Sequence, residues 1–342
     1  MALSMEEFDW PFFALKNDIP RELGKLSDRL DRFALATLVA RTGSAPQPVG
    51  CQMLVGENGE LAGYVSGGCV ESNLAVMAQD VIESGTGRFV AFGKDSEFID
   101  VHLPCGTRIE LALEAFRRTE PAVQAIVENA ESRTPALFAS DVEAGERICV
   151  PLNEIDGEGG HLLRTIFQGK SVDDLPEAGQ IGQIYWKTYT PTPRLIINGG
   201  DPVAVALAQM ARVSGLEVIV NRRDGPMEGL GDPEIAYYRR DGAGLFDDLP
   251  PDPYTAVVTT THDIETDHDI LSRALPSPAF YVGVLGSRSH LPDRRALLEE
   301  AGVTDDEIAR LAAPVGLDIG AVSPNEIAAA IVGDVIRAWR GR

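Results

Sequence analysis

The chain has few positive charges and no long apolar run, and each scarcity argues against a class of function. Its 342 residues carry 30 basic and 52 acidic side chains, and a formal charge of −22 disfavours a broad surface for nucleic acid or anionic membrane. No apolar run approaches the roughly 18 residues of a membrane-spanning helix, and the opening MALSMEEFDWPFF is acidic where a signal peptide is basic. We therefore expect a cytoplasmic protein that binds neither nucleic acid nor a membrane.

Cysteine is also scarce, and its spacing disfavours two kinds of site. The four residues Cys51, Cys69, Cys105 and Cys149 are too scattered for a disulfide scaffold and lack the CxxC spacing of a zinc site. Cys51 and Cys149 lie inside apolar strands, so we assign both to packing. Hydrophobic residues, at 44%, supply core material for about two domains.

The first half of the chain has the pattern of an α+β domain. Residues 30–41 and 52–55 are typical of buried strands, and the Asn58-Gly59 pair predicts a hairpin into a strand over 61–65. Apolar residues then recur at helical spacing over 70–83. Short strands are predicted at 89–92, 98–101 and 109–113, a helix at 121–132, and further strands to about residue 186.

The second half has the pattern of a doubly wound parallel sheet. The X-Pro pairs of YTPTP, residues 189–193, break the periodic elements and indicate a linker. Beyond it RLIINGG, PVAVALAQMARVSG and LEVIVN read as strand, helix and strand, and the alternation continues to a final helix over 326–339. We predict an N-terminal domain over 1–188 and a Rossmann-like domain over 189–342. The apolar stripe of the final helix is expected to pack on the sheet or on the partner in a homodimer.

The stretch SGGCVESN places a thiol where a strand ends and a helix begins. Near a helix N-terminus a thiol meets backbone N–H groups and the positive end of the helix dipole, which favour the thiolate. Gly67 and Gly68 permit either a close approach by a bulky ligand or a turn with positive φ. The residues alone leave Cys69 as either a ligand or nucleophile, or a structural cysteine in a tight turn.

Two further segments offer chemistry of the same kind. HLPCGT places Cys105 between a proline and Gly106, and RTGSAPQPVG offers hydroxyls, backbone N–H groups and the Arg41 guanidinium, which together suit a phosphate. Ser44 belongs to that loop. A simple connection between strands remains the alternative for each.

The motifs RTGSAPQPVGCQMLV, GYVSGGCVES, LPCGT, GVLGSRSH and APVGLDIGAVSPNEIAAAI, in this order, resemble the XdhC/CoxI family of molybdoenzyme accessory proteins. The resemblance implies a factor that binds molybdenum cofactor and supports its sulfuration with a cysteine desulfurase. It further implies transfer to a molybdenum hydroxylase client such as xanthine dehydrogenase. The GGC and PCG cysteines of the family fall on Cys69 and Cys105, which the resemblance implies as cofactor and metal ligands. Glu71 is a candidate anchor for pterin N–H groups, although a carboxylate in the first turn of a helix also stabilises the helix itself.

The chain departs from the family pattern at several positions. Gln47 stands where the first loop usually has arginine, and Thr107 where PCGG is usual. In the Rossmann half, Gly199 and Gly200 are candidate cofactor-binding residues, but they are followed by Asp201, a carboxylate where a dinucleotide places its phosphate. Asn221 replaces the acidic residue that binds ribose, so NAD is disfavoured, although Arg222 and Arg223 suit a 2′-phosphate.

Ser287 and Arg288, in GSRSH between a strand and a helix, are candidate cofactor ligands at the carboxyl edge of the predicted sheet. His262 and His268 flank carboxylates and could form a metal site, but we favour their assignment as polar residues at a helix start, since Thr261 and Asp263 are good caps. We assign no catalytic residue, since no triad or acid/base pair is evident. The prediction is therefore a non-catalytic maturation factor, with an NAD(P)-dependent oxidoreductase and a thiol-based sulfur-transfer enzyme as alternatives.

Overall fold

A computed structural model describes residues 11–26, 30–43, 47–68, 70–94, 96, 107–155, 160–261 and 263–341, except for the side chain of Arg288. The chain divides into two compact units, Met1–Pro191 and Thr192–Arg342. The division falls inside the proline-rich segment 189–193, and each unit is described by itself.

The first unit contains two antiparallel sheets. The five-stranded sheet has the order β3-β2-β1-β5-β4, and its strands are β1 (Arg32–Thr42), β2 (Gln52–Gly56), β3 (Leu61–Gly63), β4 (Arg88–Gly93) and β5 (Arg108–Arg117). The four-stranded sheet has the order β7-β6-β9-β8, and its strands are β6 (Ala136–Asp141), β7 (Glu146–Pro151), β8 (Ala178–Ile181) and β9 (Ile184–Tyr189). The Asn58-Gly59 turn joins β2 to β3 in antiparallel pairing, as the sequence predicts.

Among the described residues of this unit, four α-helices pack on these sheets: α1 (Ile19–Lys25), α2 (Glu71–Ser84), α3 (Pro121–Glu131) and α4 (His161–Phe167). Alternation along β1 divides the core, because successive side chains of a strand point to opposite faces. Ala34, Ala36 and Leu38 face α2, whereas Phe33 and Leu35 face α1, α3 and the second sheet. The other face of the second sheet packs against α4.

The second unit is built on a six-stranded parallel sheet. Its order is β12-β11-β10-β13-β14-β15, and its strands are β10 (Arg194–Asn198), β11 (Glu217–Asn221), β12 (Ile235–Tyr238), β13 (Thr255–Thr259), β14 (Tyr281–Val284) and β15 (Leu311–Ala312). Numbered within the unit, this is the 3-2-1-4-5-6 order of the Rossmann fold. The predicted doubly wound architecture is confirmed.

Helices cover both faces of the parallel sheet: α5 (Pro202–Val213), α6 (Leu245–Asp248), α7 (Ile264–Ala274), α8 (Leu291–Glu300), α9 (Asp305–Ile308) and α10 (Pro324–Arg340). Leu195 and Ile197 pack toward α5 and α10, while Ile196 packs toward α6, α7 and α8. The apolar stripe of α10, including Ile331 and Val335, is therefore buried within this unit. The strand predicted over 98–101 lies outside the described residues.

Candidate functional site

Three motif-bearing segments meet at one edge of the five-stranded sheet. Thr42 at the end of β1 pairs with Arg108 at the start of β5, and Arg108 pairs with Gly93 at the end of β4. Gly63, at the end of β3, lies at the same edge beside the start of β2. The loops containing RTGSAPQPVG, SGGC and LPCGT therefore all leave or enter the sheet there. Ser44, Cys69, Cys105 and Gly106 themselves lie outside the described residues.

Glu71 organises the SGGC turn from the first position of α2. Its side chain is 1% exposed, and its two oxygens accept six hydrogen bonds of 2.7 to 3.2 Å. Five of the donors are the backbone N–H groups of residues 65, 66, 67, 68 and 70, and the sixth is the hydroxyl of Ser66. The sequence suggested that this carboxylate anchors pterin N–H groups. In the structure its oxygens serve the turn itself, so we correct its role to that of an internal cap.

This arrangement holds the carboxylate ionised. Burial alone would raise the pKa of Glu71, but the hydrogen bonds from the Ser66 hydroxyl and from the N–H groups of Ser66 and Val65 outweigh it, and the net pKa is lowered. The turn therefore surrounds a buried negative charge, which its own peptide N–H groups stabilise through hydrogen bonds.

The two glycines of the turn have backbone conformations that other residues adopt poorly. Gly67 has φ +91° and Gly68 has φ +110°, and both are exposed. A Cβ atom on Gly68 would meet no atom within 4 Å. The turn therefore presents bare, accessible backbone, as approach of a bulky group requires.

The first loop is tied to the SGGC turn by Gln47. Its amide nitrogen donates to the Tyr64 hydroxyl at 2.8 Å, and Tyr64 lies two residues before Ser66, the first residue of the turn. Arg41 donates to the Gln47 carbonyl at 3.1 Å. Gln47, one of the residues that depart from the family pattern, therefore joins the first loop to the segment before the SGGC turn.

Lys187 of β9 supports the same loop from the second sheet. Its ammonium donates to the Gly50 carbonyl at 2.5 Å and lies 5.2 Å from the centre of the Tyr189 ring. Burial lowers its pKa, whereas burial raises the pKa of the neighbouring Cys51 thiol to about 12. Burial likewise raises the pKa of Cys149 to about 12. Both thiols are poor nucleophiles, which agrees with their assignment to packing.

Thr107 is where the LPCGT segment re-enters the described part of the chain. It is 2% exposed, and among the described residues its hydroxyl has no hydrogen-bond partner. A Cβ atom on Gly43, which follows β1, would lie 3.3 Å from that hydroxyl. The first and third segments therefore pack directly against each other.

In the second unit, Asp201 occupies the N-terminus of α5. Its Oδ1 accepts the N–H of Ala204 at 2.9 Å and the hydroxyl of Thr260 at 2.8 Å. This is the place where a dinucleotide fold receives pyrophosphate. The expectation of a carboxylate at that position is confirmed.

Other side chains at this carboxyl edge are engaged within the unit as well. The Asn221 amide nitrogen donates to Asn198 at 3.0 Å and to the Gly242 carbonyl at 3.3 Å. The guanidinium of Arg222 lies so close to Gly200 that a Cβ atom there would be 2.5 Å from its Nε. Arg223 pairs with Asp241 at 3.4 Å. The hydrogen bonds of Asn221 count against a ribose at that residue, whereas the Arg223–Asp241 pair is exposed.

The GSRSH segment lies between β14 and α8, with Arg288–His290 forming a 3₁₀ turn. The Ser287 hydroxyl accepts a hydrogen bond from the Ser289 hydroxyl at 2.9 Å. Beneath it a buried ion pair, which sequence reasoning missed, joins Arg294 to Asp267 at 3.1 Å. Asp267 also accepts the hydroxyl of Thr261 at 2.7 Å.

The candidate histidine site finds no support among the described residues. His268 lies within α7, whose N-terminus is capped by Asp263, while His262 is outside the described residues. No group of three or more potential metal ligands occurs in the part of the chain that the structure describes. Nor does any described helix have the length and apolarity to cross a bilayer.

The fold and the loops at the edge of the five-stranded sheet define a class of protein. It is a two-unit α/β chain with a glycine-rich, carboxylate-capped turn in the first unit and a Rossmann unit after it. Comparison with family models gives two matches, the XdhC and CoxI family over residues 27–93 and the XdhC Rossmann domain over residues 195–335. Together the matched segments cover more than half of the chain. The chain belongs to the XdhC and CoxI family.

Individual relatives are similar over most of their length. The molybdenum cofactor insertion chaperone PaoD of Escherichia coli (strain K12) is 29% identical over 88% of this chain and 81% of its own. A protein of Bacillus subtilis (strain 168) described as a probable xanthine dehydrogenase subunit is 26% identical over 92% of this chain and 96% of its own. A crystal structure described as a xanthine dehydrogenase from Bacillus halodurans has a TM-score of 0.72 at 24% identity, over 94% of this chain and 96% of its own, which shows a shared fold.

Proposed function

We propose that this protein is a maturation factor that binds molybdenum cofactor at the loop edge of its first unit and delivers it to a molybdenum hydroxylase such as xanthine dehydrogenase. Sulfuration of the cofactor with a cysteine desulfurase before delivery, and a cytoplasmic homodimer as the working form, belong to the same proposal. The names of the two curated relatives, a molybdenum cofactor insertion chaperone and a xanthine dehydrogenase subunit, support it.

The observation that carries the proposal is the convergence of the three motif segments at one sheet edge. The SGGC turn exposes Gly67 and Gly68 with open space above Gly68, which fits the approach of a flat pterin ring. Cys69 and Cys105 are the proposed metal ligands, since soft thiolates suit a metal–sulfur centre. Gly106, Ser44 and Arg41 complete the proposed first-unit site, and Gly199, Gly200, Ser287 and Arg288 stay predicted ligands in the second unit.

In this proposal the bound group supplies the redox-active metal, and the protein supplies binding and shielding without chemistry of its own. Glu71 fixes the turn on which Cys69 is carried, and Gln47 joins that turn to the first loop. The residues of this edge would therefore hold the cofactor and orient it for transfer.

Anaerobic incubation with molybdenum cofactor, followed by gel filtration and molybdenum counting in the protein peak, tests the proposal. We expect co-elution with wild type, loss in Cys69→Ala, and retention in Cys149→Ala, whose thiol is half-buried in strand β7. Circular dichroism should show both variants folded. Absence of molybdenum from the wild-type peak would refute cofactor binding, and an unfolded Cys69→Ala would make that cysteine structural.

A thiol-based sulfur-transfer activity is the second candidate, favoured by the strand ends that flank the SGGC and LPCGT segments, which lie at the same edge of the five-stranded sheet. It requires that alkylation of Cys69 depends on Cys105. Alkylation rates of Cys69 that are equal in wild type and Cys105→Ala would remove it.

A further inference from the structure

A buried arginine lies beneath the loop that joins β14 to α8 in the second unit. Arg294 is 6% exposed, and its Nη1 donates to the Asp267 carboxylate at 3.1 Å. That carboxylate is shared, because it also accepts the hydroxyls of Thr259 and Thr261 at 2.5 and 2.7 Å. One nitrogen of the guanidinium is therefore engaged, whereas Nε and Nη2 have no partner among the described residues.

These two nitrogens form one edge of the guanidinium, the edge that donates two parallel hydrogen bonds to an oxyanion. Nη2 lies 3.7 Å from the position that a Cβ atom of Gly286 would occupy, and Gly286 is exposed. A side chain at position 286 would lie against Nη2, so the glycine leaves that nitrogen uncovered. A buried guanidinium with unused donors beneath bare backbone suits an anionic ligand, because buried polar groups without partners are costly.

Two further kinds of donor belong to the same segment. No described side chain caps the N-terminus of α8, so the backbone N–H groups of its first turn are available to an anion. The Ser287 hydroxyl accepts from the hydroxyl and the N–H of Ser289 at 2.9 and 3.3 Å, which leaves its own proton to donate. Asp293 adds a carboxylate to the first turn, but it is exposed, so solvent weakens its repulsion of an anion.

We infer that the second unit binds a phosphate group between Gly286 and the N-terminus of α8, with Nε and Nη2 of Arg294 as its bidentate ligand. The outer oxygens of a phosphate can meet the guanidinium, the Ser287 hydroxyl and a helix N–H at once, whereas a carboxylate has only two oxygens. The place is the carboxyl edge of the parallel sheet, where doubly wound folds bind their ligands. The inference goes beyond the proposed function, because it needs no cofactor in the first unit.

Titration of the full chain with inorganic phosphate, followed by ³¹P NMR in a buffer without other oxyanions, tests the inference. We expect saturable broadening of the phosphate signal and no comparable affinity for acetate. Amide hydrogen exchange should slow in peptides that span the GSRSH segment when phosphate is added, which locates the site.

Adenosine monophosphate and adenosine distinguish the source of the phosphate group. Tighter binding of the monophosphate than of inorganic phosphate, with no binding of adenosine, would assign the group to a larger ligand. Equal binding of the monophosphate and inorganic phosphate would assign the site to free phosphate. Both results support a phosphate site at Arg294.

Arg294→Lys is the first variant, because it keeps a cation beside Asp267 but lacks the two parallel N–H groups. We expect the dissociation constant for phosphate to rise by about tenfold or more. Arg295→Lys makes the same change at the next position, where the guanidinium is exposed and pairs with Glu299 and Asp305, and it should bind phosphate like wild type. Circular dichroism should show both variants folded.

Gly286→Ala is an independent variant, because it leaves Arg294 in place. Its Cβ would lie at an ordinary van der Waals distance from Nη2, and Gly286 has no positive φ, so the unit should fold. The methyl group should cover Nη2 and weaken phosphate binding. Gly244→Ala is the matched control, since Gly244 has no positive φ and a Cβ atom there would meet no atom within 4 Å.

Absence of saturable phosphate binding by wild type, acetate binding as tight as that of phosphate, or equal dissociation constants in wild type and Arg294→Lys would each overturn the inference. If Arg294→Lys does not fold, unchanged binding by Gly286→Ala would overturn it instead. Failure of the proposed function is a separate result, because molybdenum co-elution is tested through Cys69 in the first unit.

Discussion

Replacing Glu71 by glutamine should destabilise the first unit, and by more in neutral than in acid solution. Glutamine keeps one acceptor oxygen but presents an NH₂ group where Oε2 accepts from Gly68, Val70 and the Ser66 hydroxyl. Hydrogen bonds to a charged group contribute about 1.5–3 kcal/mol each, and donors near water recover part of this. The exposed Gly68 N–H can bind water instead, whereas the fully buried Val70 N–H cannot. We therefore expect the free energy of unfolding of the first unit to fall by roughly 2–4 kcal/mol.

The pH dependence follows from the lowered pKa of Glu71. A carboxyl group whose pKa is lower in the folded state stabilises that state above the unfolded-state value, ordinarily about 4.5 for glutamate. This stabilisation is lost as pH falls through the lower, folded-state pKa. The difference between wild type and Glu71→Gln should therefore be full at pH 7 and should shrink below about pH 4.5.

Hydrogen exchange of peptides from strand β1 measures the free energy of unfolding of the first unit at each pH. Strand β1 is the buried centre of that unit, so its exchange reports the opening of the first unit and not of the second. Glu57→Gln is the matched control. Its half-buried carboxylate accepts the N–H groups of Asp31 and Arg32 at 3.1 and 3.0 Å, where water can replace it, so a smaller loss is expected. Equal losses in the two variants, or a Glu71 effect that is undiminished in acid, would refute the reasoning.

Two further predictions concern the second unit. Asp201→Gly should raise the affinity for NAD and NADP in calorimetric titration, because it removes a carboxylate from the N-terminus of α5. Asp201→Asn keeps the shape and one acceptor of the side chain and should raise the affinity less. No binding by either variant would show that other contacts, such as that of Arg222 with Gly200, close the cleft. Arg294→Met should lower the free energy of unfolding in denaturant by about 3–5 kcal/mol, because it leaves the Asp267 carboxylate buried without its cation. Arg295→Met removes only exposed pairs with Glu299 and Asp305 and should lower it by less than about 1 kcal/mol, so similar losses in the two variants would contradict the assignment of Asp267 and Arg294 as a buried pair.

Much of the fold follows from local patterns that the sequence displays. Helix α2 begins one residue after the position that the apolar spacing predicts, and the Asn58-Gly59 turn joins the strands expected of it. The alternation of strands and helices after residue 193 was sufficient to predict a parallel, doubly wound sheet. These features depend on backbone geometry and on side-chain periods of 2 and 3.6, which are properties of neighbouring residues.

The same holds for the carboxylate at the Rossmann edge. Asp201 was predicted to stand in the place of a phosphate because its position after two glycines is fixed relative to the strand and the helix. The two glycines before Cys69 likewise predicted an open or left-handed turn, and Gly67 and Gly68 have it. When the residues of a motif are contiguous in the chain, their relative positions are set by local backbone geometry and can be predicted from the sequence.

Only the tertiary structure decided where hydrogen bonds and ion pairs between distant segments fall. The sequence makes Glu71 a candidate anchor for pterin N–H groups, but in the structure five backbone amides of its own turn donate to its carboxylate. Lys187 reaches Gly50 across 137 positions of sequence, and Arg294 reaches Asp267 across 27. Such contacts depend on how whole elements pack, and no local period encodes that.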